Sequence, residues 1–177
     1  LKAGGFSLQH FETYNYPFES ILIGIAKPNN NINASKSLSI DKNVLTNETK
    51  KARFFPNHLS NKQNSIKEFL KSFKKKDCYI AIFGTGHVAC MFINLFGVKD
   101  LIDFAIDDNP NKIGFHMPGS KIPICSSHLL DENKISLCLL GIGSESEEKI
   151  INKHQFFKER KGVFASIYPD SQYAIPV

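Results

Sequence analysis

The feature that most constrains the fold is a strand-forming run that ends in a glycine turn, with an apolar helical pattern directly behind it. The run over residues 79–83 is rich in β-formers, Gly84-Thr85-Gly86 follows, and apolar spacing from Val88 onward predicts a helix. Glycines in such a turn let two backbones approach closely, and the first N–H groups of the helix can face an anion. The motif reads G-x-G-x-x-A, with Ala89 in the third position, a form that dinucleotide-binding turns permit. The turn therefore predicts a βα unit and makes a nucleotide a candidate ligand.

Strand and helix patterns alternate from residue 61 to the end of the chain. The strands are short, continuous apolar runs, as in strands that are covered on both faces. Helical spacing puts Val88, Met91, Phe92 and Leu95 on one face of the helix after the glycine turn, and Gly97 is a suitable stop for it. Predicted strands cover 78–83, 101–106, 122–124, 135–142 and 162–168, and the other predicted helices lie near 60–76, 126–134 and 145–158.

This alternation predicts an α/β fold, a Rossmann-like parallel sheet of four or five strands with helices on both faces, over residues 61–177. Residues 1–28 have two strand patterns joined near Tyr16-Pro17 and predict a β-hairpin, which must pair with something else because two strands alone are marginally stable. Residues 29–60 are rich in Asn, Ser and Lys and are typical of a linker or arm.

Composition excludes several classes of function. Hydrophobic content of 42% and charged content of 22% are ordinary for a globular protein, no apolar run approaches the roughly 20 residues of a membrane span, and no signal peptide is visible. We therefore expect a cytoplasmic protein without a membrane partner. The net charge of +5 suits an anionic ligand, but the basic residues follow helical faces without interleaved aromatic residues, so a nucleic-acid partner is not expected. The four cysteines have no paired spacing, which favours buried free thiols and no metal site.

The candidate binding residues lie in the glycine turn and after the next strand. Gly84, Thr85, Gly86 and His87 could hold a phosphate or a ribose, although glycines also serve in turns that bind nothing. Asp107 ends the following strand, where an acid can accept ribose hydroxyls. The neighbouring Asp108 favours an Asx-type turn instead.

No catalytic residue is predicted for this chain. A Ser/His/Asp or Cys/His pattern for nucleophilic catalysis is not recognisable in the sequence. The carboxylates of Glu145, Glu147 and Glu148 fall in the first turn of a predicted helix, where their interaction with the helix dipole explains them.

An ordered series of short motifs runs through residues 62–169, namely Gly84 and Gly86, Gly97-Val98, Asp107 to Pro110, Lys112-x-Gly114, Pro118-Gly119, Ile122-Pro123-Ile124 and the closing GVFASIYP. By this series the segment resembles the C-terminal domain of the SAM-dependent C-methyltransferases that act on nucleotide-linked deoxysugars. The chain departs from that pattern after the strand at 135–140, where Gly141-Ile142-Gly143 stands in place of a Pro-Trp-Asn.

The N-terminal hairpin resembles the last two antiparallel strands of a class I methyltransferase sheet. The chain opens on Leu1 rather than Met, which favours a piece of a longer protein. The resemblance implies that the partner is an N-terminal domain of the same protein that binds SAM, and that this chain binds no cofactor and is inactive alone.

The resemblance also implies a role in holding the methyl acceptor. That acceptor would be a nucleotide-sugar or another small molecule, and Gly84, Thr85, Gly86, His87 and Asp107 would contact it. Two alternatives stay open: an NAD(P)-binding oxidoreductase module, indicated by G-x-G-x-x-A with Asp107, and a non-catalytic nucleotide-sugar-binding module.

Overall fold

The computed structural model describes residues 1, 4–15, 20–29, 41–74, 78–132 and 134–176. Two compact units make up the chain, Leu1–Arg53 and Phe54–Val177. Among the residues described, no helix is both long enough and apolar enough to cross a membrane.

The first unit contains the predicted β-hairpin. Strand β1 (Phe6–Asn15) pairs antiparallel with strand β2 (Ser20–Pro28), with a register shift between Leu8 and His10. The predicted connection at Tyr16-Pro17 lies outside the described residues. Large apolar side chains of the hairpin are exposed, namely Phe6, Leu8, Phe11, Tyr14, Ile21, Leu22, Ile23 and Ile25.

Helix α1 (Lys42–Phe73) is much longer than the sequence predicts, since it begins well before residue 60. Asp41 caps it, because its Oδ1 accepts the backbone N–H of Asn43 at 2.8 Å. Within the predicted linker or arm at 29–60, residues 42–60 are therefore helical, and the helix continues past Pro56. Only its last part shows a buried apolar stripe, at Ile66 and Leu70, as the spacing predicts.

The second unit is built on a five-stranded parallel sheet with the order β5-β4-β3-β6-β7. This confirms the predicted α/β architecture. The strands are β3 (Tyr79–Phe83), β4 (Phe104–Ile106), β5 (Ile124–Cys125), β6 (Ile135–Leu140) and β7 (Val163–Ser166), and the remaining helices are α2 (His87–Phe96), α3 (Leu129–Glu132), α4 (Ser144–Lys153) and α5 (Gln155–Glu159).

Alternate residues of the central strands enter two separate apolar cores. On one face Ile80 and Ile82 of β3 belong to a cluster with residues of α1 and α2. On the other face Ala81 and Phe83 belong to a cluster with residues of α3, α4 and α5. The strands are covered on both faces, which explains their unbroken apolar runs.

Two predictions about the helices are wrong in detail. Helix α2 buries Ala89, Phe92 and Ile93, whereas Met91 and Leu95 are exposed. Apolar residues surround this helix on most sides, so their spacing does not identify the buried face. The predicted helix at 145–158 is two helices, interrupted at His154. Gly97 ends α2 as predicted, in the left-handed conformation with φ 61°.

Candidate functional site

The candidate site lies at the carboxyl edge of the sheet, where the chain leaves β3 and β6. These two neighbouring strands connect in opposite directions, β3 onward to β4 and β6 onward to β7. Ligands of open α/β sheets bind outside the carboxyl ends of strands at such a switch point. The predicted glycine turn, residues 84–86, therefore occupies the position where a ligand is most expected.

Gly84 is required by the fold itself. Its φ of 94° is a conformation that side chains rarely adopt. A Cβ at this position would lie 2.6 Å from Ile142 Cγ2 and 2.8 Å from the carbonyl oxygen of Gly141. The turn after β3 and the turn after β6 thus touch backbone to backbone, and this contact alone explains Gly84.

Gly141 and Ala89 explain the third position of the motif in the same way. A Cβ on Gly141 would lie 2.9 Å from the Cβ of Ala89, and Ala89 is fully buried. Helix α2 passes so close to the turn after β6 that only small residues fit where the two segments meet. The first and third positions of G-x-G-x-x-A therefore serve packing.

Gly86 differs from both, because among the described residues only its own chain neighbours could lie within 4 Å of the Cβ it lacks. Its φ of −75° and ψ of 177° are extended backbone that any residue adopts. It is the N-cap residue of α2, no side chain caps that helix, and Gly86 and His87 are both exposed. The second glycine of the motif has no explanation in the packing of the chain.

The N-terminus of α4, which begins at the neighbouring turn, is different. The carboxylate of Glu145 folds back against Gly143 and occupies the space where a Cβ of that glycine would lie. An acid in the first turn interacts favourably with the helix dipole. Of the two helices that start at this switch point, α4 has its own carboxylate at its N-terminus and α2 does not.

Asp107 is held by partners from its own protein. Its Oδ2 accepts hydrogen bonds from the hydroxyl and the backbone N–H of Thr85, and Lys112 Nζ lies 2.8 Å from the same oxygen. Its Oδ1 accepts the backbone N–H of Asn109 at 2.9 Å. Burial raises the pKa of this carboxyl, but the hydrogen bonds and the Lys112 ammonium outweigh it and lower the pKa to about 2. Asp107 is thus a carboxylate that fixes the glycine turn to the loop after β4.

The Asx turn predicted for Asp108 is formed by its neighbour Asp107, through the bond of Asp107 to Asn109. Asp108 pairs with Lys153 Nζ at 2.5 Å and accepts hydrogen bonds from Ser127, which together hold its pKa below the usual value despite burial. The two neighbouring acids therefore tie the loop after β4 to three different segments.

Glu147 is a second anchored carboxyl, for which the sequence predicts only an interaction with the helix dipole. It is 2% exposed, and its two oxygens accept the hydroxyls of Ser166 and Ser171, both at 2.5 Å. Each serine oxygen in turn accepts a backbone N–H, from Tyr168 and Tyr173. Glu147 therefore fastens the segment after β7 to the first turn of α4.

The described residues of this edge offer an uncapped helix N-terminus, a feature that can receive an anion. In the described part of the chain, no group of three or more His, Cys, Asp or Glu residues could hold a metal ion. All four cysteines are free, and only Cys138 is fully buried, so the expectation of buried thiols fails for the other three. Of the predicted site residues, Thr85 and Asp107 bond to each other, whereas Gly86 and His87 lie exposed beside them.

Comparison with known proteins identifies the family. The family model of the C-methyltransferase C-terminal domain matches residues 25–169, most of the chain. No curated protein matches the sequence. Membership implies an associated N-terminal domain and, for the intact protein, SAM as methyl donor. The chain belongs to the C-methyltransferase C-terminal domain family.

Proposed function

We propose that this chain holds the methyl acceptor of a SAM-dependent C-methyltransferase, and that its carboxyl edge binds an anionic part of that acceptor. The methyl donor and the catalytic groups belong to the associated N-terminal domain. A nucleotide-sugar is the acceptor class that we favour, because its diphosphate is the kind of anion that a free helix N-terminus receives.

The observation that carries this proposal is the difference between Gly86 and the other small residues of the motif. Packing against the turn after β6 accounts for Gly84 and Ala89, but in the described part of the chain no residue other than its sequence neighbours packs against the Cβ position of Gly86. A glycine without a packing reason, next to an uncapped helix N-terminus, is what close approach of a ligand to the backbone requires.

The electrostatics of the edge favour the same ligand. Helix α2 presents the positive end of its dipole at Gly86, and no side-chain oxygen caps it. The nearest carboxylate described above, Asp107, is already paired with Lys112 and does not leave an uncompensated negative charge there. We therefore assign Gly86 and His87 to ligand contact, and Asp107 and Thr85 to holding the turn in place.

A pair of glycine variants tests the proposal. Gly86→Val keeps an allowed backbone and open space around the side chain, so the fold should be retained. If a diphosphate lies against this backbone, titration calorimetry with UDP-glucose or dTDP-glucose should show binding at least tenfold weaker than in the parent. Gly84→Ala is the matched control, because it should lower the melting temperature through its clash with Ile142 and Gly141.

The same titrations separate the alternatives. If NAD⁺ or NADP⁺ gives a heat of binding and a sugar nucleotide gives none, the oxidoreductase module is supported instead. Equal binding of a sugar nucleotide by the parent and by Gly86→Val would place the ligand elsewhere and overturn the site. Sugar-nucleotide binding without methyl transfer in the intact protein would favour the non-catalytic binding module.

For the hairpin, we propose that it belongs structurally to the preceding methyltransferase domain and continues its sheet. The family match begins only at residue 25, so β1 and most of β2 lie outside it. Neighbouring residues of a strand point to opposite faces, and Leu22 and Ile23 are both large, apolar and exposed. A strand that is apolar on both faces is suited to a sheet with helices on both sides.

Charged substitutions on each face test this placement. In the intact enzyme, Leu22→Asp and Ile23→Asp should each lower the melting temperature by several degrees if both faces are covered. Thr13 pairs with Leu22 across the two strands, so its side chain lies on the same face of the hairpin. Thr13→Asp therefore shows what a charge costs on that face when a polar residue, and not a large apolar one, is replaced. No effect of either change at 22 and 23 would mean that the hairpin stays in solvent.

A further inference from the structure

A buried histidine lies at the interruption between α4 and α5. His154 is 4% exposed, and neither ring nitrogen has a hydrogen-bond partner among the described residues. Its ring centroid lies 6.1 Å from that of Phe83. A buried imidazole without partners is costly, since each polar nitrogen has lost its water without a replacement.

The charged groups that act on this ring come from three elements. Asp131 of α3 approaches closest, with its Oδ1 3.9 Å from His154 Nδ1, too far for a hydrogen bond. Lys153 precedes the ring on α4, and Asp108 lies on the loop after β4. The two carboxylates favour the imidazolium, whereas the lysine and above all burial oppose it, so that the pKa of His154 is below its usual value.

We propose that His154 is a proton-sensitive latch at the junction of α4 and α5, closed while its imidazole is neutral and released when it takes up a proton. The neutral ring fits the apolar side of β3, next to Phe83. A charged ring needs water or a hydrogen-bonded carboxylate, whereas in the closed position both nitrogens are buried and the Asp131 carboxylate stays 3.9 Å from Nδ1, beyond hydrogen-bond distance.

Release of the junction reaches the loop after β4. Lys153, the residue before His154, is the partner of Asp108, and the two form an ion pair of 2.5 Å. When the junction opens, Lys153 moves with it and Asp108 loses this partner. The latch therefore couples the protonation of one side chain to the anchoring of the loop that also contains Asp107.

The direction and limit of the effect follow from linkage. The open state binds the proton with the ordinary pKa of 6.5, and the closed state binds it less well, so opening grows as the pH falls below 6.5. At pH 5.0 the opening equilibrium can rise by at most about 30-fold over its value at pH 8.

Hydrogen exchange measured by mass spectrometry on the full chain tests the latch. After correction for the intrinsic pH dependence of exchange, peptides that cover 147–160 should lose protection by several-fold, up to that limit, between pH 8 and pH 5.0. Peptides in β6, at the centre of the sheet, should change little. His58→Gln, which removes an exposed histidine of α1, should behave like the parent.

Two variants move the result in different directions. His154→Phe cannot be protonated, fills a site that offers no hydrogen bonds, and should abolish the acid-induced loss. Asp131→Asn removes a carboxylate that favours the imidazolium, so the acid-induced loss should persist or increase. An unchanged loss in His154→Phe, or its disappearance in Asp131→Asn, would overturn the proposal. If His154→Phe does not fold, Asp131→Asn decides: an acid-induced loss that persists or increases supports the latch, and its disappearance overturns it.

Discussion

Two of the carboxyl groups that anchor loops at the carboxyl edge of the sheet, Asp107 and Glu147, do so with different chemistry. Asp107 combines an ammonium partner, Lys112, with a hydroxyl and two backbone N–H groups, and its side chain is 14% exposed. Glu147 is 2% exposed and is held by two serine hydroxyls. The comparison shows two ways of stabilising a carboxyl group at this edge of the sheet. Near solvent the partner is a lysine ammonium, and in the interior the partners are serine hydroxyls.

The largest effect is expected at the interior carboxyl. Glu147→Ala removes the acceptor of two hydroxyls that are already used as acceptors by backbone N–H groups, and it leaves a cavity. We expect a loss of about 3 kcal/mol in the free energy of unfolding, measured by urea denaturation. Glu147→Gln keeps the volume but turns one acceptor into a donor, so a smaller loss of about 1–2 kcal/mol is expected. Equal stability of Glu147→Ala and the parent would show that the serines find other partners.

Removing the charge of Asp107 should cost less than Glu147→Ala. Asp107→Asn keeps the shape of the side chain but removes its charge, which weakens the bonds from Thr85 and Lys112. We expect a loss of about 1–2 kcal/mol in the same urea experiment, because the pair with Lys112 is partly exposed. A loss larger than that of Glu147→Ala would reverse the comparison.

Acid should reveal the charge at Asp107. The pKa of this carboxyl is lowered to about 2 in the folded state, from 3.8 in a free side chain. The folded state therefore binds its proton less well, and the stability due to Asp107 is present above pH 4 and lost as the pH falls towards 2. Between pH 4.5 and pH 2.5 the melting temperature should fall less steeply in Asp107→Asn than in the parent. Identical slopes would mean that the carboxylate is not stabilised by its partners.

The smallest effect is expected from the cation alone. Lys112→Met removes one of the partners of Asp107 Oδ2, and the hydrogen bonds from Thr85 remain. Because Lys112 is 41% exposed, we expect a loss of about 0.5 kcal/mol, reduced further by added salt. Insensitivity of this difference to salt would contradict an electrostatic origin.

Much of the fold was predictable because its signals are local. The apolar run of β3, the glycine turn and the stop at Gly97 each depend on a few consecutive residues. The extent of α1 was missed because its first half is polar and has no buried stripe, although Asp41 is a recognisable cap. The break at His154 has no proline or glycine to mark it.

The candidate site was predictable only in position. The glycine turn and Asp107 lie at the ends of their strands, as the sequence pattern predicts. The hydrogen bonds that the anchoring side chains form could not be predicted, because they join residues that are distant in sequence or depend on the path of a loop. Ser166 and Ser171 are 19 and 24 positions from Glu147, and nothing in their neighbourhood distinguishes them from surface serines. Lys112 is one of the residues of the motif series. Its pairing with Asp107 could not be predicted, because it depends on how the loop after β4 folds back on itself.

The bond between Thr85 and Asp107 has a consequence for the entropy of binding. A flexible glycine turn would have to be ordered by its ligand, at a cost of about 1–2 kcal/mol for each residue fixed. Here the residue between the two glycines is already fixed by a carboxylate that is itself held from the loop after β4. The ligand proposed at Gly86 would therefore cost the protein little conformational freedom, and the freedom that the ligand itself loses would decide how much affinity remains.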